Sequence, residues 1–403
     1  MREFYSLDGH IVSSAPESTL DLLSMMVSFD TVNEYTSGVN FPEEKMLEYL
    51  EIVAQGWGLK TDRLPVAAHA VASTYNLLIT HEVSETAPWI IFESHADTVS
   101  VDGMTVDPFH GQIKDGLIYG RGTCDTKGSG AGMLWALKDY MQLPSCPNNI
   151  AVLFVTDEEA FKTGATAFVQ SQLEHLDWKP TGVIVGEPTL CQPVVAHNGV
   201  IRWKINTQGI AAHSSNPSLG QSAISAMAKL VLEFEKEYCS KLSLNDPLTG
   251  QAACSINTIS GGSSVNIIPE FCEIEIDRRT LPGEDSEQVL KEIKAVLESI
   301  ALRDPTIRIG TSKPFVDYQL DPTVNNKFAK QVSKILVDMG FSGEQSGAGY
   351  GTDASTYSIA GIPAIVIGPG SINQAHTKDE WLEIAELEKS VLVYLQIMKY
   401  NFI

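Results

Sequence analysis

Acidic and histidine side chains follow four separate apolar runs of the sequence, each typical of a buried strand. The first three runs end near His95 and Asp97, near Glu158 and Glu159, and at Glu187, and the fourth leads through a short loop to His376. Ligands of open α/β sheets bind at the carboxyl ends of strands, so these side chains are expected to converge at one edge. Imidazole nitrogens and carboxylate oxygens are ligands for zinc, which predicts a metal site there.

The expected charge of this cluster favours two metal ions over one. Asp125, in a glycine-rich stretch before a helical pattern, adds a further carboxylate. Together Asp97, Asp125, Glu158, Glu159 and Glu187 would carry −5, which one divalent cation reduces to −3 and two reduce to −1. Uncompensated carboxylates repel strongly in a dry site. We therefore expect two zinc ions, with cobalt or manganese as substitutes.

Each of these motifs has an ordinary explanation when it is taken alone. Adjacent glutamates at a strand end are usually solvated, Glu187 before a proline can simply end a strand, and His376 can be a surface histidine. Only their joint placement favours a metal site. Other catalytic motifs are missing: the glycine-rich stretches do not fit G-x-G-x-x-G, and no phosphate-binding loop, H-E-x-x-H or G-x-S-x-G occurs.

Composition excludes several function classes. The 403 residues include 28 basic and 50 acidic side chains, for a net charge of −22. Such a surface repels phosphate backbones and anionic membranes. No apolar run approaches the ~18 residues of a membrane span. The N-terminus lacks a signal-peptide pattern and the six cysteines form no C-x-x-C pair, so we expect reduced thiols and a cytoplasmic location.

Two kinds of pattern divide the chain. The outer parts alternate short apolar runs, such as Trp89 to Glu93 and Ile150 to Val155, with helical segments, which is typical of an α/β sheet. We predict helices over Ala165 to Leu176 and Ile384 to Met398, and a half-exposed strand over Gly199 to Gln208. The middle, from about 196 to 311, has the order β-α-β-β-α-β of a ferredoxin-like unit. We predict an α/β domain over residues 1–195 and 312–403, interrupted by an α+β insert over 196–311.

Seven motifs, in order along the chain, resemble the co-catalytic zinc aminoacylase/carboxypeptidase family. That family includes acetylornithine deacetylase, succinyl-diaminopimelate desuccinylase, aminoacylases and several dipeptidases. The last motif is closest to acetylornithine deacetylases. The motifs are Ser94-His95-Ala96-Asp97-Thr98-Val99, Tyr119-Gly120-Arg121-Gly122-Thr123-Cys124-Asp125-Thr126-Lys127-Gly128, Thr156-Asp157-Glu158-Glu159, Gly186-Glu187-Pro188-Thr189, Ala212-His213-Ser214-Ser215, Asp277-Arg278-Arg279-Thr280-Leu281-Pro282-Gly283 and Gly368-Pro369-Gly370-Ser371-Ile372-Asn373-Gln374-Ala375-His376.

The resemblance implies a zinc-peptidase-like catalytic domain, with a central mixed sheet flanked by helices, and an inserted lid or dimerisation domain. It also implies a role for each residue of the metal cluster. One zinc would be held by His95 and Glu187, the other by Glu159 and His376, and Asp125 would bridge the two. Asp97 would orient His95 through the far ring nitrogen, and Glu158 would be the general base. A cis peptide bond is implied between Asp125 and Thr126.

The resemblance also implies substrate-binding residues. His213 would polarise the scissile carbonyl, acting in the partner's site in dimeric relatives, although alone it reads as an exposed turn histidine. Asn266 would contact the substrate, with a turn cap as the alternative. Arg279, rather than Arg278 on the opposite strand face, would bind a substrate carboxylate, with a surface salt bridge as the alternative. The remaining substrate neighbours would be Gly349, Gly351 and Thr352, where Thr352-Asp353 departs from the family's frequent Thr-Glu.

The implied reaction is hydrolysis of an amide on an α-amino acid, with N-acetylornithine as the leading substrate. Succinyl-diaminopimelate desuccinylase and a dipeptidase or carboxypeptidase are alternatives of the same chemistry. A catalytically inactive, metal-stabilised binding protein is a remote alternative of a different class. The expected partners are a small N-acyl amino acid and a second copy of the chain, paired through the inserted domain, with no nucleic acid and no membrane.

Overall fold

A computed structural model describes residues 4–5, 11–12, 15–67 and 73–402. The histidines at positions 10 and 69 lie outside the described residues. The described chain forms two compact units. The first comprises residues 1–195, 322–346 and 352–403, and the second comprises residues 196–321 and 347–351.

Most strands are short, and the longest belong to the two main sheets. In chain order they are β1 (Phe4–Tyr5), β2 (Ile11–Val12), β3 (Lys60–Ala67), β4 (Ser73–His81), β5 (Trp89–His95), β6 (Gln112–Lys114), β7 (Leu117–Tyr119), β8 (Asn149–Val155), β9 (Pro180–Val185), β10 (Val194–His197), β11 (Gly199–Gln208), β12 (Ala212–His213), β13 (Asn245–Asp246), β14 (Gly250–Gln251), β15 (Ala253–Gly261), β16 (Ile267–Ile268), β17 (Phe271–Thr280), β18 (Arg308–Thr311), β19 (Phe315–Asp317), β20 (Ser346–Ala348), β21 (Ala364–Val366) and β22 (Trp381–Glu383).

Ten α-helices lie within the described residues. They are α1 (Thr19–Val27), α2 (Glu34–Ser37), α3 (Glu44–Gly56), α4 (Lys127–Tyr140), α5 (Thr163–Ala167), α6 (Ala223–Glu237), α7 (Ser286–Arg303), α8 (Pro322–Asp338), α9 (Ala354–Ile359) and α10 (Ile384–Met398). None of the helices within the described ranges is both long and apolar enough to cross a bilayer.

A mixed sheet of eight strands is the centre of the first unit, in the order β20-β10-β21-β9-β5-β8-β4-β3. Strands β21, β9, β5 and β8 are neighbours and run parallel. All seven residues of β5 and of β8 are buried, which explains their continuous apolar runs. The four predicted strands therefore have their carboxyl ends at one edge, and the predicted α/β fold class is confirmed.

The segment Ala165 to Leu176, predicted to be a helix, is not a regular α-helix in the structure. The segment begins as α5, widens into a π-helical turn over Phe168–Gln172 and ends in a 3-10 turn over Leu173–His175. The buried Gln172 amide donates to the main-chain oxygens of Leu64 and Pro65 and accepts from Asn76. These side-chain bonds hold the wider turn against β3 and β4, an effect that helical periodicity does not reveal.

The second unit has the strand order β15-β17-β11-β18, with α6 and α7 packed together and α6 against β11 and β17. This is the antiparallel arrangement of the ferredoxin-like pattern. The second unit extends past residue 311, which was the predicted end of the insert. Strand β19 pairs with β11, and residues 347–351 also belong to this unit. Strand β19 has only three residues, too few to show a recognisable alternation of apolar and polar side chains.

Candidate metal centre

His95, Asp125 and Glu187 form the first group of possible metal ligands. His95 is the last residue of β5, Glu187 follows β9, and Asp125 lies two residues before α4. The Nε2 atom of His95 lies 3.0 Å from Oδ1 of Asp125 and 3.7 Å from Oε1 of Glu187. All three side chains are buried. The parallel strands thus bring together three groups that are up to 92 positions apart in the sequence.

Asp125, Glu159 and His376 form the second group, which shares Asp125 with the first. The Nε2 atom of His376 lies 3.2 Å from Oδ2 of Asp125 and 3.0 Å from Oε1 of Glu159. His376 has a φ of 58°, a left-handed backbone conformation that few non-glycine residues adopt. The two oxygens of Asp125 therefore face different histidines, as a carboxylate between two cations would.

The spacing of these atoms fits divalent ions. A tetrahedral zinc with ligands at 2.0–2.2 Å separates its ligand atoms by about 3.4 Å. The four distances above lie between 3.0 and 3.7 Å, and the atoms of each group lie within 4.8 Å of one another. Because Nδ1 of His95 lies 2.9 Å from the main-chain oxygen of Asp97, it carries the proton, which leaves the Nε2 lone pair for a metal.

The electrostatics of the metal-free cluster lead to the same conclusion. Burial raises the pKa of Glu187 well above its usual value, and repulsion from Asp125 adds to this. Burial also raises the pKa of Glu159. Burial opposes protonation of His376, but hydrogen bonds to Asp125 and Glu159 prevail and raise the pKa of His376 to about 11. Protons bound to these side chains thus neutralise the negative charge that divalent cations would otherwise compensate.

Asp125 is the exception among the carboxylates. Burial would raise its pKa, but hydrogen bonds from His376 and His95 outweigh burial and lower the pKa below its ordinary value. The shared carboxylate therefore stays ionised between two imidazoles. The peptide bond from Asp125 to Thr126 is cis.

Asp97 contacts His95 mainly through its main chain. Its carboxylate oxygen lies 3.6 Å from Nδ1 of His95, farther than the 2.9 Å of the main-chain oxygen. The carboxylate instead accepts hydrogen bonds from the main-chain N–H groups of Glu158, at 2.9 Å, and Glu159, at 3.1 Å. Asp97 therefore holds the turn that presents these two glutamates, in addition to orienting the imidazole.

Glu158 is nearly buried, with a side-chain exposure of 10%. Burial raises the pKa of Glu158 to about 8, while the nearby Lys162 acts in the opposite direction. Lys162 Nζ lies 3.9 Å from Oε1 of Glu158 and donates to the main-chain oxygen of Thr352 at 2.8 Å. Lys162 thus connects Glu158 to the buried Thr352, whereas Gly351 is half-buried and belongs to the second unit.

Two carboxylates of this region were not predicted. Glu380 is fully buried. Its carboxylate accepts hydrogen bonds from the main-chain N–H groups of Cys124 and Asp125 and forms an ion pair with Arg121 at 2.6 Å. Its position beside Asp379 resembles ordinary surface charge, so the sequence gives no signal. Glu93 is different, since a carboxylate inside an apolar strand is itself a signal. Burial raises the pKa of Glu93 to about 8.

His213 and Asn266 lie close together in the second unit. His213 is exposed in β12, which pairs with β16, and the main-chain N–H of Ser214 donates to the oxygen of Asn266 at 3.0 Å. Nδ1 of His213 lies 2.8 Å from the Ser215 hydroxyl, which leaves Nε2 open to solvent. The Asn266 amide oxygen lies next to the Ser264 hydroxyl.

Arg278 and Arg279 point to opposite faces of β17, in agreement with strand alternation. Arg278 is buried, with Nε donating to the Tyr238 hydroxyl at 3.0 Å and Nη2 to Glu284 at 2.6 Å. Arg279 has 36% side-chain exposure and donates through Nε to Asp277 at 2.7 Å. Arg279 is therefore the arginine whose remaining donors can reach a ligand.

The sequence matches known proteins over most of its length. The model of peptidase family M20/M25/M40 matches residues 91–400. An acetylornithine deacetylase of Buchnera aphidicola subsp. Schizaphis graminum is 32% identical over 322 residues, which cover 78% of this chain and 80% of that protein.

Solved structures share the fold at lower identity. A tripeptidase of Staphylococcus aureus superposes with a TM-score of 0.75 at 23% identity and covers 94% of this chain and 97% of its own. The aminopeptidase PepT of Bacillus cereus gives a TM-score of 0.74 at 21% identity, with coverages of 95% and 98%. With its shared aspartate between two histidine–carboxylate groups, the chain belongs to peptidase family M20/M25/M40.

Proposed function

We propose that this hydrolase removes the acyl group from an N-acylated amino acid, with N-acetylornithine as its principal substrate. The observation that carries the proposal is the pair of ligand groups joined by Asp125, next to the nearly buried Glu158. The deacetylase from Buchnera aphidicola, 32% identical, supports the choice of substrate.

Two zinc ions are the proposed cofactors, with cobalt or manganese as substitutes. His95 and Glu187 would hold one ion, Glu159 and His376 the other, and Asp125 both. Such ions would acidify a water molecule and polarise the acyl carbonyl.

Glu158 is proposed as the general base and acid. Its carboxylate would accept a proton from the attacking water and deliver that proton to the departing amine. Asp97 would keep the Glu158 main chain in place through the hydrogen bond described above. Because Glu158 is almost excluded from solvent, proton exchange with bulk water would not compete with this transfer.

The second unit would supply the substrate contacts. We assign oxyanion stabilisation to His213 through its open Nε2, and substrate contact to Asn266 beside it. Arg279 would bind the substrate carboxylate with the donors that Asp277 does not use. Gly351 and Thr352 would line the substrate pocket. We propose that two copies pair through this unit, so that each donates its His213 to the other's reaction.

Amine release from N-acetylornithine tests the reaction. The purified chain is assayed with added zinc or cobalt, with a chelator control and with the Glu158→Gln variant. We expect metal-dependent release that this variant reduces by roughly 10²–10⁴-fold, the usual contribution of a general base, while its metal content is unchanged. Binding of the substrate without release would instead identify an inactive binding protein.

Peptide hydrolysis is the second candidate. The observation behind it is the buried Asp353 after Thr352, where the family often has glutamate, a difference of one methylene that bears on side-chain specificity. N-succinyl amino acids, dipeptides and tripeptides are therefore assayed in parallel. A kcat/KM for any of these that exceeds the value for N-acetylornithine would replace the proposed substrate.

Subunit mixing tests the proposed action of His213. The variants His213→Ala and Glu158→Gln are each expected to be inactive, but mixed dimers would contain one site with both native residues. Activity that rises on mixing to roughly a quarter of the wild-type value supports the dimer, since half of the dimers are mixed and each has one intact site. Mixing without any gain would contradict it.

A further inference from the structure

Cys239 and Cys254 both lie near the buried Arg278 in the second unit. Cys239 begins the 3-10 turn Cys239–Lys241 that follows α6, and Cys254 is the second residue of the edge strand β15. Cys254 is the cross-strand partner of Arg278. Tyr238, directly before Cys239, accepts the Nε hydrogen bond of Arg278. Arg278 is thus linked to both segments, through its guanidinium to Tyr238 and through its strand pairing to Cys254.

The 3-10 turn that carries Cys239 packs against β15, the strand that carries Cys254. The S–H of Cys254 is within hydrogen-bonding reach of the Cys239 sulfur. Both side chains are half-buried and pack at the margin of the core formed by α6, α7 and the sheet. They are therefore adjacent to one another and still open to a small reagent. Both lie at the end of an element, where a modest backbone shift can bring the sulfurs together.

The charges around the pair make the thiols unequal. The hydrogen bond from Cys254 lowers the pKa of Cys239 below its ordinary value against the effect of burial, with Glu235 opposing and Arg278 assisting. The same hydrogen bond raises the pKa of Cys254. A thiolate beside a protonated thiol is the arrangement of an attacking and a resolving cysteine.

The other four cysteines lack this arrangement. Cys124, Cys191 and Cys272 are buried, and Cys146 donates to the main-chain oxygen of Tyr140 at 3.3 Å. Burial raises the pKa of each of the four. Cys146 is half-buried like the pair and is therefore the matched control.

We propose that Cys239 and Cys254 are a modification site at which a peroxide forms a reversible intramolecular disulfide. The Cys239 thiolate attacks hydrogen peroxide, the O–O bond breaks, and hydroxide leaves to give a sulfenic acid. The Cys254 sulfur then forms the S–S bond and displaces the sulfenic oxygen as water. In total, two thiols and one peroxide give one disulfide and two waters, with both sulfurs oxidised and the peroxide oxygens reduced.

Peptide mapping of the peroxide-treated native protein tests the proposal. Remaining thiols are blocked with iodoacetamide before digestion without reductant. Trypsin releases Cys239 in the peptide 237–241 but leaves Cys254 with Cys272 in 242–278. A second digestion after Glu270 separates these two. We expect the fragment containing Cys254, and not that containing Cys272, to be linked to the fragment containing Cys239. The blocked thiols should fall from six to four and return to six with dithiothreitol.

Two variants complete the test. Cys146→Ser should leave the link intact, whereas Cys254→Ser should abolish it and leave a sulfenic acid at Cys239 that dimedone traps. The proposal is overturned if the folded wild-type protein shows no link, links Cys239 to another cysteine in equal yield, or oxidises Cys239 irreversibly without forming the disulfide. The wild-type measurement decides even if a variant fails to fold.

Discussion

Glu380 provides the sharpest test of how the protein holds its metal cluster. Its Oε2 accepts from Arg121 at 2.6 Å, and its Oε1 accepts the N–H groups of Cys124 at 3.0 Å and Asp125 at 3.1 Å. The side chain is completely buried. The substitution Glu380→Ala therefore removes three hydrogen bonds and leaves a guanidinium and two main-chain N–H groups without their acceptor.

The expected cost follows from these contacts. Removing one partner of a buried ion pair costs about 3–5 kcal/mol. Arg121 keeps its two bonds to the Ser100 oxygen, at 3.1 and 2.8 Å, which favours the lower end. Two unsatisfied N–H groups add about 1 kcal/mol each at least. We expect Glu380→Ala to lower the free energy of unfolding by about 5 kcal/mol, and Glu380→Gln, which keeps an acceptor, by about 2 kcal/mol.

Urea denaturation followed by tryptophan fluorescence measures the change. Five of the six tryptophans belong to the first unit, so the signal reports mainly on the unit that contains Glu380. The exposed Glu388→Ala is the matched control and should change the free energy by less than about 0.5 kcal/mol. Calorimetric zinc titration of Glu380→Ala should show an affinity reduced by about 10–100-fold, because Glu380 holds the main chain of Asp125.

The reasoning is refuted by a specific pair of results. If Glu380→Ala unfolds within 1 kcal/mol of the wild-type protein and binds zinc with the same affinity, the buried pair neither stabilises the unit nor positions Asp125. A loss of stability with unchanged zinc affinity would retain the structural role alone.

Three further predictions concern pH, packing and metal. Burial raises the pKa of Glu43 to about 8, so its contribution to stability is present below pH 4.5 and lost as pH rises through 8. In urea melts at several pH values, Glu43→Gln should become more stable than wild type across that range, by up to about 1.4 kcal/mol per pH unit, with the exposed Glu44→Gln as the control variant. Gly130→Ala should cost about 1–3 kcal/mol in the same assay, because its methyl group would lie 2.6 Å from a Phe154 ring atom, whereas Gly56→Ala meets nothing within 4 Å and should not destabilise. Zinc at 100 times its dissociation constant should stabilise the protein by about 2.7 kcal/mol and raise the melting temperature in scanning calorimetry, and an unchanged melting temperature would contradict the metal centre.

The fold class could be predicted because the two parts of the chain have different patterns of apolar residues. Strands buried on both faces, such as β5, are continuous apolar runs, whereas β11 alternates strictly because one of its faces is exposed. Its predicted bounds, Gly199 to Gln208, agree with the structure, as do those of α10. Three ligands of the candidate metal centre, His95, Glu159 and Glu187, were predictable because polar side chains follow these runs closely.

Other features depend on contacts that no local pattern records. Glu380 meets Arg121 across 259 positions of sequence, and neither residue lies in a periodic segment. The main-chain contact between Asp97 and His95 is invisible to any argument based on side-chain types. The π-helical turn after α5 results from the bonds of Gln172 with β3 and β4 rather than from its own propensity.

The position of β21 has a consequence for synthesis of the chain. Residues 364–366 lie between β9 and β10, although both of those strands are translated long before them. At ~5–20 residues per second, the nascent chain waits roughly 10–40 s between β9 and β21. During that interval the whole insert emerges from the ribosome and can fold, while one edge of β9 still lacks its partner. Such an open edge can pair with other chains, so early termination before residue 364 would yield an aggregation-prone product rather than a smaller working enzyme.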